Sequence, residues 1–429
     1  MSGLMSMPSE MILAIAEKLE PEDLLNFRQS CRAIKEITHD VFAKALFERR
    51  CIKLDRRSLT TLRDISRDSK LREFVSEVSI SVDRVLDPNK WDYGDLLDYM
   101  RSMMPDYKMR PIGPFPDLQF EDQAYLQQSL ALENLPSCRM LTLGSYTWHD
   151  APWGVKRVLE QIDPSQCRRR MLGSVSTTVE HIKRCLCTLL EAAMMSNMKL
   201  EELKIIFGSR GDGDAVTSEM LSIPDACAHR IPDKLTSLVH LSLTLGPIDS
   251  SHWTYRVLRF VNLFPSLSHL TLRFIPYVPL LWGEQSRFQQ ICNELTIENL
   301  QKLEVSGVEC TNKDLFVLMF RHRDTLKEIV FDRVGLLDEY MWRQLIRTMR
   351  NTLLLERVTL NSCLVMHENL AAFNHAVDGK TFLVEDPSKY ADILKLMETQ
   401  VDEDSVDEDA VDGDSVDDDS VDGDSVDED

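Results

Sequence analysis

Few residues of this 429-residue chain stand at spacings that chemistry could use. Cys185 and Cys187 could offer two thiolates to a zinc ion. Both fall on an apolar helical stripe, where thiols act as small packing groups. The 10 histidines are dispersed singly. There is no Gly-x-Ser-x-Gly elbow, no phosphate-binding Gly-x-x-x-x-Gly-Lys-(Ser/Thr) loop, no His-Glu-x-x-His and no Cys-x-x-Cys. Asp-x-Asp spacings near the C-terminus could bind Ca²⁺ weakly, but no twelve-residue loop ending in Glu accompanies them. Arg210-Gly211-Asp212 sits in a glycine-rich loop and is read as a chance match. The expectation is a non-enzymatic chain with no metal or other cofactor.

Charge narrows the partners. The formal charge of -21 is concentrated in residues 401–429, which hold 16 acids and no Lys or Arg. The remaining 54 acidic and 49 basic residues give a net charge of -5. No overall basic field exists of the kind nucleic-acid binding needs. No run of about 18 apolar residues predicts a membrane span. The 10 cysteines are scattered, and Met1 to Met11 lacks the pattern of a secretory signal. These features predict a reducing cytoplasmic or nuclear setting.

What remains is the chemistry of contact. From Met7, Pro8 and Glu10 mark a helix start, and Met11, Ile12, Ile15 and Leu19 share one helical stripe. Pro21 and two acids mark a second start, followed by Leu24, Leu25, Arg28 and Cys31. A third apolar pattern runs from Ile34 to Leu46. Three short helices bury little by themselves. Periodicity alone would equally suit a cap on the next domain or a small helix-turn-helix.

The residue string 7–32 resembles the F-box motif, with Met7 in place of the usual Leu and Ile34 near a common aromatic position. F-boxes insert apolar side chains into the linker subunit of cullin-RING ubiquitin ligases. The resemblance implies linker contacts at Pro8, Met11, Ile12, Ile15, Leu19, Leu24, Leu25, Arg28 and Cys31, a helix-in-groove mode. It implies a non-catalytic adaptor that also binds a target protein.

A second pattern, an apolar residue followed by others three and five positions on, recurs at Leu238, Leu267, Leu300, Leu326 and Leu355. Weaker copies begin at Val75, Cys138 and Leu200. The last six starts lie 38, 29, 33, 26 and 29 residues apart, and 26 to 33 suits a strand plus a helix per unit. Amphipathic helices are expected over 253–264, 287–295, 314–320 and 339–349, and Val75 to Ile80 as a first strand. The pattern resembles a degenerate leucine-rich-repeat solenoid. The Asn or Cys ladder position is filled as expected only by Cys363, and by Gly246, Ile275, Val308 and Val334 elsewhere. An α/β domain whose strands share a pattern is the alternative. The segment from Leu62 to Ile80 resembles one that follows the F-box in fungal F-box proteins.

The predicted organisation is a mixed α/β chain: a three-helix F-box over 1–50, an irregular solenoid over 51–400 with a Pro- and aromatic-rich insertion at 83–135, and a disordered acidic tail over 401–429. The tail repeats a five-residue unit beginning Val-Asp, whose charges repel and whose single valine buries too little to order it. Ser405, Ser415 and Ser425 each have an acid three residues on, a context that acid-directed kinases favour. Alternate strand residues would form a polar concave face. There His240, His269, Arg273, Lys302, Glu304 and Arg357 are the candidate target contacts, unless the face is merely solvated. A leucine-rich scaffold without a ligase role, or an acidic-tail binder of basic proteins, stays open beside the adaptor.

Overall fold

The computed structural model describes residues 7–53, 56–82, 131–144, 179–196, 198–207, 216–246, 252–274, 285–336, 339–352, 354–361, 363–365 and 382–384. Most of the proposed 83–135 insertion and all of the acidic tail lie outside them. Four helices open the chain: α1 (Ser9–Ala16), α2 (Pro21–Gln29), α3 (Arg32–Ile37) and α4 (His39–Phe47). Pro21 stands in the first turn as expected, whereas Pro8 is the residue before α1, and its carbonyl accepts from Met11 and Ile12 N–H at 3.1 and 3.3 Å. The expected third helix is two helices. Thr38 breaks it, and its hydroxyl donates to the Ile34 carbonyl at 2.7 Å.

Strand β1 (Arg49–Lys53) follows α4 directly, then α5 (Arg56–Arg67) and β2 (Glu77–Ser81). Val75 to Ile80 therefore does not supply the first strand. Further strands are β3 (Met140–Gly144), β4 (Glu202–Ile206), β5 (His240–Leu245), β6 (His269–Phe274), β7 (Lys302–Ser306), β8 (Glu309–Cys310), β9 (Glu328–Asp332), β10 (Gly335–Leu336), β11 (Arg357–Asn361), β12 (Leu364–Val365) and β13 (Phe382–Val384). The later helices are α6 (Val179–Ser196), α7 (Asp225–Ala228), α8 (Ile231–Lys234), α9 (Trp253–Val261), α10 (Gln285–Glu294), α11 (Asn312–Arg321) and α12 (Glu339–Thr352). The last four fall where the amphipathic spacing predicts them.

Ten strands form one sheet in chain order, β1-β2-β3-β4-β5-β6-β7-β9-β11-β13. All pairs are parallel except the last, where β13 runs antiparallel to β11. Parallel neighbours need a crossover of a dozen residues or more, which the repeat spacing supplies. The register lines up Val78, Leu141, Leu203, Leu241, Leu270, Leu303, Ile329 and Val358 as one apolar row, each at most 1% exposed. Ile80, Leu143, Ile205, Leu243, Leu272, Val305, Phe331 and Leu360 form a second. These rows share one core with Val257, Ile291, Leu315 and Ile346 of α9 to α12. Each fully buried Leu or Ile contributes about 1.5–3 kcal/mol, so a row of them sets the register.

A second set of short strands follows the main ones in the later units. Strands β8, β10 and β12 form a second, three-stranded parallel sheet directly after β7, β9 and β11. Val308, Val334 and Cys363, the expected ladder positions, lie buried just before these short strands. Backbone groups hydrogen-bond here: Gly307 N–H reaches the Asp332 carbonyl at 2.9 Å, and Gly335 N–H the Val308 carbonyl at 2.8 Å. The turn at Gly307 needs its φ of +72°, and a Cβ there would meet the Phe274 carbonyl oxygen at 2.2 Å.

Candidate functional site

Two surfaces follow from this frame, one on the N-terminal helices and one on the sheet. In the helix cluster Ile12, Leu24, Ile34 and Ala43 point inward from four different helices and are nearly inaccessible. Arg28 joins them. Its Nη1 donates to the Lys35 carbonyl at 3.0 Å and to Thr38 Oγ1 at 3.1 Å, and its guanidinium carbon lies 3.9 Å above the Phe42 ring. Arg28 thus ties α2 to the α3–α4 break.

This placement separates the nine residues expected to contact a linker subunit. Ile12, Leu24 and Arg28 are buried within the chain's own helices and hold them together, so they offer no free surface. Cys31 is half-buried and caps α3, accepting from Ile34 N–H through sulfur at 3.4 Å. Pro8 is exposed, Met11 is 53% and Ile15 36% exposed, and Leu19 and Leu25 are half-buried. Helical periodicity marks apolar positions but not which of two apolar sides turns inward. The exposed apolar residues are therefore Pro8, Met11 and Ile15, with Leu19 and Leu25 half-buried.

The second surface is the sheet face opposite the apolar rows. The register places Arg49, Glu77, Met140, Glu202, His240, His269, Lys302, Glu328 and Arg357 in one line across nine strands. Five of the six candidate target contacts are close neighbours here. His240 and His269 stack with ring centroids 3.6 Å apart and planes 5° from parallel. His240 Nδ1 meets Glu202 at 2.6 Å, and Arg273 meets Glu304 at 3.1 Å. Lys302 lies 3.6 Å from Glu328, whose other oxygen meets Arg357 at 3.1 Å and so brings in the sixth. The charges are thus already paired among themselves, which spacing along the chain could not show.

The pairings set the protonation states. Burial by itself would raise Glu202, but the hydrogen bond and charge from His240, with Lys204, outweigh it and bring the carboxyl down to about 2. Burial, reinforced by the charges of His240 and Lys302, lowers His269 to about 3. His269 is neutral near pH 7, and its buried Nε2 has no hydrogen-bond partner among the described residues. The small side chains Ser242, Thr271 and Ser306 lie almost fully buried on this face. Thr271 Oγ1 meets His240 Nε2 at 3.3 Å, and Ser306 donates to Asp332 at 2.8 Å.

One cluster escaped the sequence reading. Glu77 of β2 accepts from Arg49 at 2.7 Å, Ser79 at 2.9 Å and Thr142 at 2.7 Å. Burial would raise its pKa, yet these three bonds hold it below the usual carboxylate range. The cluster fastens β1, and through it the N-terminal helices, to the sheet. The alternation Glu77-x-Ser79-x-Ser81 was its signal, but only with the register of β1 and β3 in hand. Among the described residues no group of three His, Cys, Asp or Glu could hold a metal ion, and no helix is long and apolar enough to cross a membrane.

Residues 4–52 match the F-box-like family model. The match takes in all four N-terminal helices and most of β1. No curated protein matches the chain. Among solved structures, a structural-genomics target from Bacteroides fragilis aligns with 15% identity and a TM-score of 0.27. That alignment covers 54% of this chain and 66% of the other, so the chain spans just under two thirds of that protein's length.

Proposed function

We propose that this chain, through its F-box-like N-terminal region, is a substrate-recognition adaptor of a cullin-RING ubiquitin ligase. On this reading the patch of Pro8, Met11, Ile15, Leu19 and Leu25 docks on the linker subunit. The observation that carries the proposal is the F-box-like match over 4–52 joined to that patch, in which Met11 and Ile15 stand open to solvent. Exposed apolar side chains on a short helix suit groove insertion.

The remainder, over 51–400, is proposed to be an irregular leucine-rich-repeat solenoid of the kind found beside fungal F-boxes. Its support is the strand order, which follows the chain, and the two apolar rows that each unit continues. The target protein would bind the polar face around His240, His269, Arg273, Lys302, Glu304 and Arg357. The chain would contribute no catalysis and would act in the cytoplasm or nucleus. Co-purification of the full chain with the linker subunit tests the adaptor reading. Its failure would leave a repeat scaffold without a ligase role.

A further inference from the structure

Helix α11 carries a second apolar stripe that neither surface above uses. Its core side is Leu315, Leu318 and Met319, each at most 1% exposed. On its outer side Phe316 and Phe320 stand one turn apart, with ring centroids separated by 5.5 Å and planes 24° from parallel. Phe320 is 42% exposed, and Phe316 and Val317 are half-buried. Lys313, exposed, stands one turn before Phe316 and Val317. The Arg323 guanidinium carbon lies 4.4 Å over the Phe320 ring. The outer face thus reads, in order, as a cation, an aromatic pair and a second cation. Arg321 is exposed as well, and so are Arg347 and Arg350 on α12. Asn312 donates to Gln344 at 2.8 Å and holds α12 beside α11. Asp324 meets Arg323 at 3.6 Å with its own side chain 90% exposed, so another carboxylate can readily exchange for it.

Single exposed apolar side chains are ordinary. A stacked pair between two cations has a definite complement, an apolar side chain between two carboxylates. We infer that this stripe is an intramolecular docking surface for the chain's own acidic tail, residues 401–429. Alternate residues of an extended chain share one side, about 7 Å apart. In the tail that alternation sets Val406 between Asp404 and Glu408, Val416 between Asp414 and Asp418, and Val426 between Asp424 and Glu428. The two carboxylate positions of each triplet lie about 13 Å apart. The span from Lys313 to Arg323 is about 15 Å at the helical rise of about 1.5 Å per residue. One carboxylate can therefore meet Lys313 and the other Arg323 while the valine covers the aromatic pair. Val401, Val411 and Val421 each have an acid on one side only at this spacing.

Reach and number favour the contact. β13 ends at Val384, and the 16 residues from 385 to 400 span up to about 55 Å. Two strand steps separate β13 from β9, the strand that follows α11. At about 4.8 Å per strand this is roughly 10 Å across the sheet, with about 10 Å more to reach the helices. A tether of this length holds the tail at high effective concentration, and three copies of the triplet multiply the ways of binding. The contact leaves the N-terminal helices and the polar sheet face free, so it holds whether or not the chain serves a ligase.

The test uses the full chain with a photoreactive phenylalanine analogue replacing Asp324, the exposed neighbour of Arg323. A control carries the same probe at Tyr255, 62% exposed on α9. The expected result is intramolecular cross-links from position 324 into residues 401–429, several-fold above those from position 255. They should fall to a tenth or less in Lys313→Glu/Arg323→Glu. Val406→Ser/Val416→Ser/Val426→Ser leaves every charge and the folded part of the chain in place, and should lower them at least threefold. Val401→Ser/Val411→Ser/Val421→Ser should leave them within twofold of wild type. Equal cross-linking from both probe positions would overturn the inference. So would two serine variants that cross-link alike, because the attraction would then be diffuse charge without the triplet register. Adducts joining two chains at dilute protein would also overturn it, assigning the stripe to a second copy.

Discussion

The clearest consequence of the helix cluster concerns two apolar residues that look equivalent in the sequence. Ile15→Asp places a carboxylate at a site already 36% exposed, whereas Leu24→Asp places one where the side chain is 0% exposed. At Leu24 the loss of packing alone costs about 2–5 kcal/mol. An unpaired buried carboxylate adds several more. Against a typical stability of about 5–15 kcal/mol, the N-terminal cluster should unfold. At Ile15 the carboxylate can stay hydrated in the free chain, and the stability loss should be about 1 kcal/mol or less. On docking, the same carboxylate must enter an apolar groove, and a cost of about 4 kcal/mol weakens Kd roughly a thousandfold. Thermal melts and limited proteolysis of residues 1–50 would read folding, and titration with the linker subunit would read docking. Ile15→Asp should keep the helices and lose the partner, and Leu24→Asp should lose both. Ile15→Asp protein that binds the linker subunit within threefold of wild type would refute the assignment of this patch.

Three further outcomes are expected. Arg28→Ala removes two hydrogen bonds and the contact with Phe42 from the α2–α4 junction, and should cost about 2–3 kcal/mol in denaturant unfolding; an unchanged midpoint would show that the junction does not need it. Acid should weaken the fold in two stages. His269 is lowered to about 3, so from about pH 6.5 downward the unfolded chain takes up a proton the folded chain refuses; Glu77 and Glu202 are depressed, so their stabilisation is full above about pH 4.5 and fades as pH falls towards 2. Screening at the half-buried Glu202 reduces its share to about 1–2 kcal/mol. A His269→Phe variant should flatten the melting-temperature slope between pH 6.5 and 4.5, and an unaltered slope would contradict the assignment. Arg273→Ala/Lys302→Ala breaks two surface ion pairs and should cost about 1 kcal/mol in stability or less, while reducing target capture at least tenfold and leaving linker-subunit binding intact; recovery of the wild-type interaction partners would remove this face from target recognition.

Much of the architecture follows from local pattern. The apolar spacing around Leu241, Leu270, Leu303, Ile329 and Val358 identifies strands because a half-buried strand must alternate. The intervening helices repeat at 3.6 residues because each must turn one stripe to the sheet. The F-box resemblance likewise rests on contiguous residues. Tertiary structure decided what depends on partners distant in the chain. Strand β1 is short and carries three charges in five residues, so its pairing with β2 is set by the sheet and the Arg49–Glu77 contact. Thr38 ends a helix because Arg28, ten residues back, satisfies the break. Ile12 and Ile15 are both isoleucines of one helix, yet one is buried in the helix cluster and the other is exposed. The stacking of His240 on His269, and the pairing of Arg273 with Glu304, join residues 29 and 31 positions apart. A sequence specifies which side chains alternate along a strand. Only the register between strands, fixed by packing on the opposite face, determines which charges meet.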